Sequence, residues 1–128
     1  MHTQQLLMEM KSEQDHWQNR IRFYRDEIKQ FDDHLSKISV SEAPRETMVS
    51  VEHFQNQFIR QKEVLDITRH DFKQHENLLE AIEKNVSTEP LEGIQKMHSM
   101  QREKMEQFER IFHELRNEFN FFLDQVAV

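Results

Sequence analysis

Apolar residues recur along this chain at alternating intervals of three and four. One run reads Leu7, Met10, Gln14, Trp17, Ile21, Tyr24, Ile28, Phe31, Leu35, Ile38. A second reads Val51, Phe54, Phe58, Gln61, Leu65, Thr68, Phe72, His75, Leu79, Ile82, Val86. A third reads Leu91, Ile94, His98, Gln101, Met105, Phe108, Phe112, Leu115, Phe119, Phe122, Val126. These are the a and d positions of a heptad. The opposite f positions, from Ser12 to Asp33, Asn56 to Lys84 and Lys96 to Asp124, are polar throughout. A strand period of two cannot separate the two sets in this way, so the pattern predicts three amphipathic helices. An unbroken heptad further predicts a left-handed supercoil.

Helix-breaking residues cluster twice, at Ser39-Val40-Ser41-Glu42-Ala43-Pro44 and at Ser87-Thr88-Glu89-Pro90-Leu91-Glu92-Gly93. Each reads as a helix restart, with a hydroxyl cap (Ser41 or a later residue, Ser87 or Thr88) and Pro in the first turn. The predicted helices lie near 3–38, 44–86 and 88–126, in one domain covering 1–128. Short connections make neighbouring helices antiparallel. Folding the chain at both breaks aligns the seams into layers: Trp17 with Phe72 and Met105, Tyr24 with Leu65 and Phe112, Phe31 with Phe58 and Phe119, Leu35 with Phe54 and Phe122. The fold class is therefore all-α, an elongated antiparallel three-helix bundle with coiled-coil-like packing. Phe residues concentrate at the end near the first turn, which is expected to be the more stable.

Composition narrows the picture further. A single Gly and two Pro are too few for the turns of an all-β or doubly wound α/β fold. No apolar run approaches the ~20 residues of a membrane span, and the start of the chain lacks the pattern of a secretory signal, so a cytoplasmic protein is expected. The absence of Cys removes disulfides and thiolate chemistry. A net charge of −7 argues against non-specific nucleic-acid binding. There is no glycine-rich phosphate loop and no nucleophile elbow. The sequence carries no catalytic constellation and implies no cofactor.

Two features remain as candidate sites. Gln14, His75 and Gln101 fall in one predicted layer of the seam, with His98 beside it. Buried polar groups are costly unless hydrogen-bonded. The expected role is a register device, in which these side chains satisfy one another. The alternative is a small-ligand or metal site using His75 and His98 with Gln14 and Gln101. Two imidazoles with no carboxylate in the layer suit a metal poorly. The other histidines lie mostly at outward positions, and His-x-x-x-Glu or paired Glu-x-x-His spacings are missing. The second feature is a set of apolar residues at outward positions, Phe23, Ile59, Ile67, Met100 and Phe121, flanked by Val64, Leu78, Met97, Ile111 and Leu123. Large apolar side chains grouped along a rod suggest a partner surface. The reading is a non-catalytic helical-bundle interaction or scaffold module, with a homodimer as one form of it.

Overall fold

The computed structural model of the chain describes residues 2–38 and 42–126. Three helices, α1 (His2–Ser36), α2 (Arg45–Glu83) and α3 (Leu91–Val126), form a three-helix bundle, and no strand occurs among the described residues. With 35, 39 and 36 residues, each helix is roughly 50–60 Å long at 1.5 Å per residue.

Every buried side chain among the described residues occupies an a or d position of the heptad. The expected layers meet as ring contacts. Trp17 lies 5.1 Å from Phe72 and Tyr24 lies 5.0 Å from Phe112, centroid to centroid. Phe31, Phe58 and Phe119 touch pairwise at 4.9–5.5 Å. Phe54 and Phe122 stand 5.1 Å apart. Such tilted and edge-on pairs add to the burial energy of the rings.

The core is not continuous. One large cluster runs from Trp17 to Leu35 with its partners on α2 and α3. A smaller one holds Leu7, Met10, Leu79 and Ile94. Gln14, His75, His98 and Gln101, all buried, belong to neither cluster.

The helix ends differ from the sequence expectation. The last turn of α2 stops at Glu83, three residues early. Lys84 caps it, and Asn85 turns into the left-handed region at φ 57°. The Asn85 N–H donates to the Ile82 carbonyl at 3.0 Å and the Val86 N–H to that of Ala81 at 2.9 Å. This is a Schellman closure, with Asn in the place Gly usually takes. Val86, counted above as a seam residue, is consequently exposed.

The hydroxyl caps also differ. Ser41 lies outside the described residues. Pro44 itself occupies the N-cap of α2, without a side-chain hydrogen bond. Ser87 Oγ accepts the Glu89 N–H at 3.1 Å, closing a turn ahead of α3 rather than capping it. Pro90 immediately precedes Leu91, and its carbonyl accepts the Ile94 N–H at 3.3 Å.

Charged residues beside the seams, at e and g positions and at the b position of Asp66, define the three grooves. Along α1 and α3 a ladder repeats every heptad: Glu13 with Arg102, Arg20 with Glu109, Glu27 with Arg116. Arg102 is bidentate on Glu13 at 2.6 and 2.9 Å. Arg20 also donates to the Tyr24 hydroxyl at 2.7 Å, and that hydroxyl donates to Glu109. Burial, reinforced by the Glu109 carboxylate, pushes the Tyr24 phenol up to about 12. Burial opposes ionisation of Glu109 as well, but the bonds from Arg20 and Tyr24 outweigh it and hold the carboxyl below its usual range. Lys11–Glu83 and Arg25–Asp66 mark the α1/α2 groove, and Lys104–Asp71 marks the α2/α3 groove.

The expected energetic contrast is large. Phe58→Ala should lower the unfolding free energy by about 3–5 kcal/mol, because its ring is fully buried against Phe31, Phe54 and Phe119. Val49→Ala, on the exposed side of α2, should stay within about 0.5 kcal/mol of the parent. Urea unfolding of both variants checks this.

Candidate functional site

The polar layer is assembled by the same heptad that builds the core. Seam positions deliver Gln14 from α1, His75 from α2, and His98 and Gln101 from α3. Helix flanks add Glu13 and Arg102. The Nε2 of His75 and the Nδ1 of His98 are 2.8 Å apart. The Nε2 of His98 lies 2.7 Å from Glu13 Oε1. The Trp17 indole stacks on the His98 ring at 4.8 Å.

This geometry fixes the protons. An ionised carboxylate only accepts, so His98 donates through Nε2–H to Glu13. In neutral His98 the Nδ1 is then a lone pair, and it accepts from His75 Nε2–H. The Nδ1 of His75 is left as an acceptor, and it has no partner. The result is a chain in which His75 donates to His98 and His98 donates to Glu13, which also accepts from Arg102.

The layer differs from the expected self-satisfying device. Gln14 Nε2 donates to the Phe72 carbonyl at 2.6 Å, not to another layer side chain. Gln14 Oε1, Gln101 Oε1 and His75 Nδ1 are three buried acceptors without a donor. The layer also has a carboxylate that the sequence reading did not count. Glu13 sits at the g flank, immediately before Gln14, and reaches inward to His98. Pairing the flanks of α1 and α3 in parallel would have found it, because Arg102 follows Gln101 in the same way.

The electrostatics follow from burial. Desolvation and the neighbouring His98 lower the His75 pKa to about 4. Desolvation also lowers that of His98, with Glu13 partly offsetting it. The Arg102 hydrogen bonds, helped by His98, hold the Glu13 carboxyl below its usual range against its own desolvation.

The other site residues lie apart. His16, His34, His53, His70 and His113 are exposed. Among the described residues no group of three or more His, Cys, Asp and Glu side chains is placed to hold a metal ion. None of the described helices is long and apolar enough to cross a membrane. The five outward apolar residues do not form one patch. Phe23 is at a c position on the α1/α3 side, with its ring 5.6 Å from that of Tyr24. Ile59 lies at a b position on the α1/α2 side. Ile67, Met100 and Phe121 occupy c positions on the α2/α3 side. Val64, Met97 and Ile111 join them from g positions, so this one face holds six of the twelve exposed large apolar residues. Leu78 lies on it too, half-buried. Comparison of the chain with protein families, curated proteins and solved structures finds no match.

Two measurements test the layer. Long-range ¹H–¹⁵N correlation at pH 7.5 should show His75 and His98 both as Nε2–H tautomers; an Nδ1–H form of His98 would contradict the chain. The second concerns acid. The folded-state pKa of His75 lies below the unfolded value of about 6.5, so the unfolded chain binds more protons as pH falls. The stability contribution is complete above that value and declines towards about 4. Between pH 7.5 and 5.5 the parent should lose roughly 1 kcal/mol through this group. His75→Leu should lose less over the same interval in urea unfolding, and equal losses would remove His75 from the account.

Proposed function

We propose that this chain is a non-catalytic helical-bundle module for protein–protein interaction, acting through the α2/α3 face. The observation that carries this reading is the unequal placement of exposed apolar side chains. The α2/α3 face carries six, against three on the α1/α2 side (Met8, Met48 and Ile59) and Phe23 on the α1/α3 side. Random scatter of surface apolars is normal. Concentration along one groove, bordered by polar f positions, is the pattern of a contact surface. The interior supports the same reading, because the seams are filled by side chains from three helices.

The test is a double substitution, Ile67→Glu with Met100→Glu. Both residues are more than half exposed, so helix content should be unchanged. The parent should associate, with itself in sedimentation velocity or with an identified protein in affinity capture, and the variant should not. A parent that stays monomeric and retains nothing the variant loses would overturn the reading.

A second reading rests on the three unpaired acceptors of the polar layer, which favour a small internal ligand able to donate hydrogen bonds. A metal ion suits them less, because Glu13 is already engaged by His98 and Arg102. Native mass spectrometry decides: a stoichiometric adduct lost in His75→Leu supports it, and a bare parent mass rejects it.

A further inference from the structure

We propose that the occupant of the α2/α3 face is a second copy of this chain, related by a two-fold axis parallel to the helices. The proposal rests on the interaction reading above and names its partner. Register and charge select this arrangement. A two-fold axis parallel to the rods carries no translation along them. Each residue therefore meets a residue of the second copy at its own height, and α2 lies over the second copy's α3. The intramolecular Asp71–Lys104 bridge, at 3.2 Å, fixes those heights.

At this register the faces complement each other without adjustment. Asp71 and Lys104 double into a ring of four alternating charges. One heptad to either side, Leu78 with Met97 and Val64 with Ile111 double into apolar layers. At the c positions Arg60 stands against Glu114 of the second copy, and His53 against Phe121 of the second copy. Ile67 and Met100 meet the apolar stems of Gln107 and Gln74. No like charges oppose each other at these g and c positions. The alternative axis, perpendicular to the helices and centred on the same layers, sets Asp71 against Asp71 and Lys104 against Lys104.

The only glycine supplies an independent observation. Gly93 lies in the first turn of α3 with no positive φ. A Cβ there would meet only Pro90, at an ordinary 3.7 Å. Nothing within one chain requires glycine, although glycine weakens a helix relative to alanine. In the proposed dimer Gly93 stands against Ala81 of the second copy, where two small residues let the helices approach closely. The face from this pair to His53 and Phe121 is roughly 40 Å long. At a width of roughly 15 Å it covers about 600 Å² per copy, which is the lower end of a stable interface.

The test uses the full chain. Arg60 and Glu114 are both exposed, and neither takes part in the bundle's own ion pairs. Sedimentation equilibrium should show a dimer whose dissociation constant rises at least about tenfold in Arg60→Glu and returns towards the parent value in Arg60→Glu with Glu114→Arg. The chain contains no cysteine, so single cysteines report cleanly. A mixture of Arg60→Cys and Glu114→Cys chains should form the mixed disulfide, and neither should couple efficiently to itself. A dimer that ignores the charge swap, or that couples Arg60→Cys to itself, overturns this arrangement and leaves the interaction reading standing. So does a monomer that captures a different protein through the same face. A monomer that captures nothing overturns both.

Discussion

A slender bundle of three helices can hide only two residues in seven from each helix. Every other property of this molecule answers to that constraint. Every buried side chain among the described residues is a seam residue, and a group placed at an inner seam position is carried inside whatever its polarity. That is how two imidazoles and two amides come to lie among Phe and Leu. The stability of the rod rests on aromatic rings because it has so few positions to use; each buried ring removes more apolar surface from water than an aliphatic side chain in the same place.

Alignment along the rod needs a separate device, since a regular heptad packs nearly as well after a slip of seven residues. The ladder between α1 and α3 provides it. Its charges alternate: acid on α1 at Glu13, base at Arg20, acid at Glu27, with the opposite sign on α3 at each step. Sliding α3 one heptad in one direction sets Glu13 against Glu109 and Arg20 against Arg116. Sliding it in the other sets Arg20 against Arg102 and Glu27 against Glu109. Partly exposed ion pairs contribute little to stability singly. Their value here is the penalty they impose on wrong pairings.

The seam and its layers were legible in the sequence because spacing alone determines them. Trp17 beside Phe72 follows from the positions of the two breaks. Other features depend on information that spacing does not carry. Asn85 ends α2 by adopting a backbone region open to few residues besides glycine, and the heptad runs through it to Val86 without a mark. The caps expected from Ser and Thr gave way to Pro44 at α2 and to a Ser87 turn before α3. Glu13 was hidden for a different reason. A g position faces one neighbour or the other according to the sense in which the helices circle the axis, and a linear pattern is silent on that sense. The same ambiguity scattered the outward apolars into a single notional patch, which the grooves then divided among three sides.

The divided core gives the rod two ends of unequal character. Beyond the imidazole pair the small cluster holds Leu7, Met10, Leu79 and Ile94, with Leu6, Leu78 and Ile82 packed against them, and α2 closes there on a left-handed Asn. On the other side lies a long run of stacked rings. Opening the smaller end exposes few apolar side chains, whereas separation past the polar layer must also expose Trp17 and Phe72, so local opening costs less at the smaller end. The layer thus marks the boundary between two packing regimes of one rod, a thin aliphatic end and a thick aromatic one.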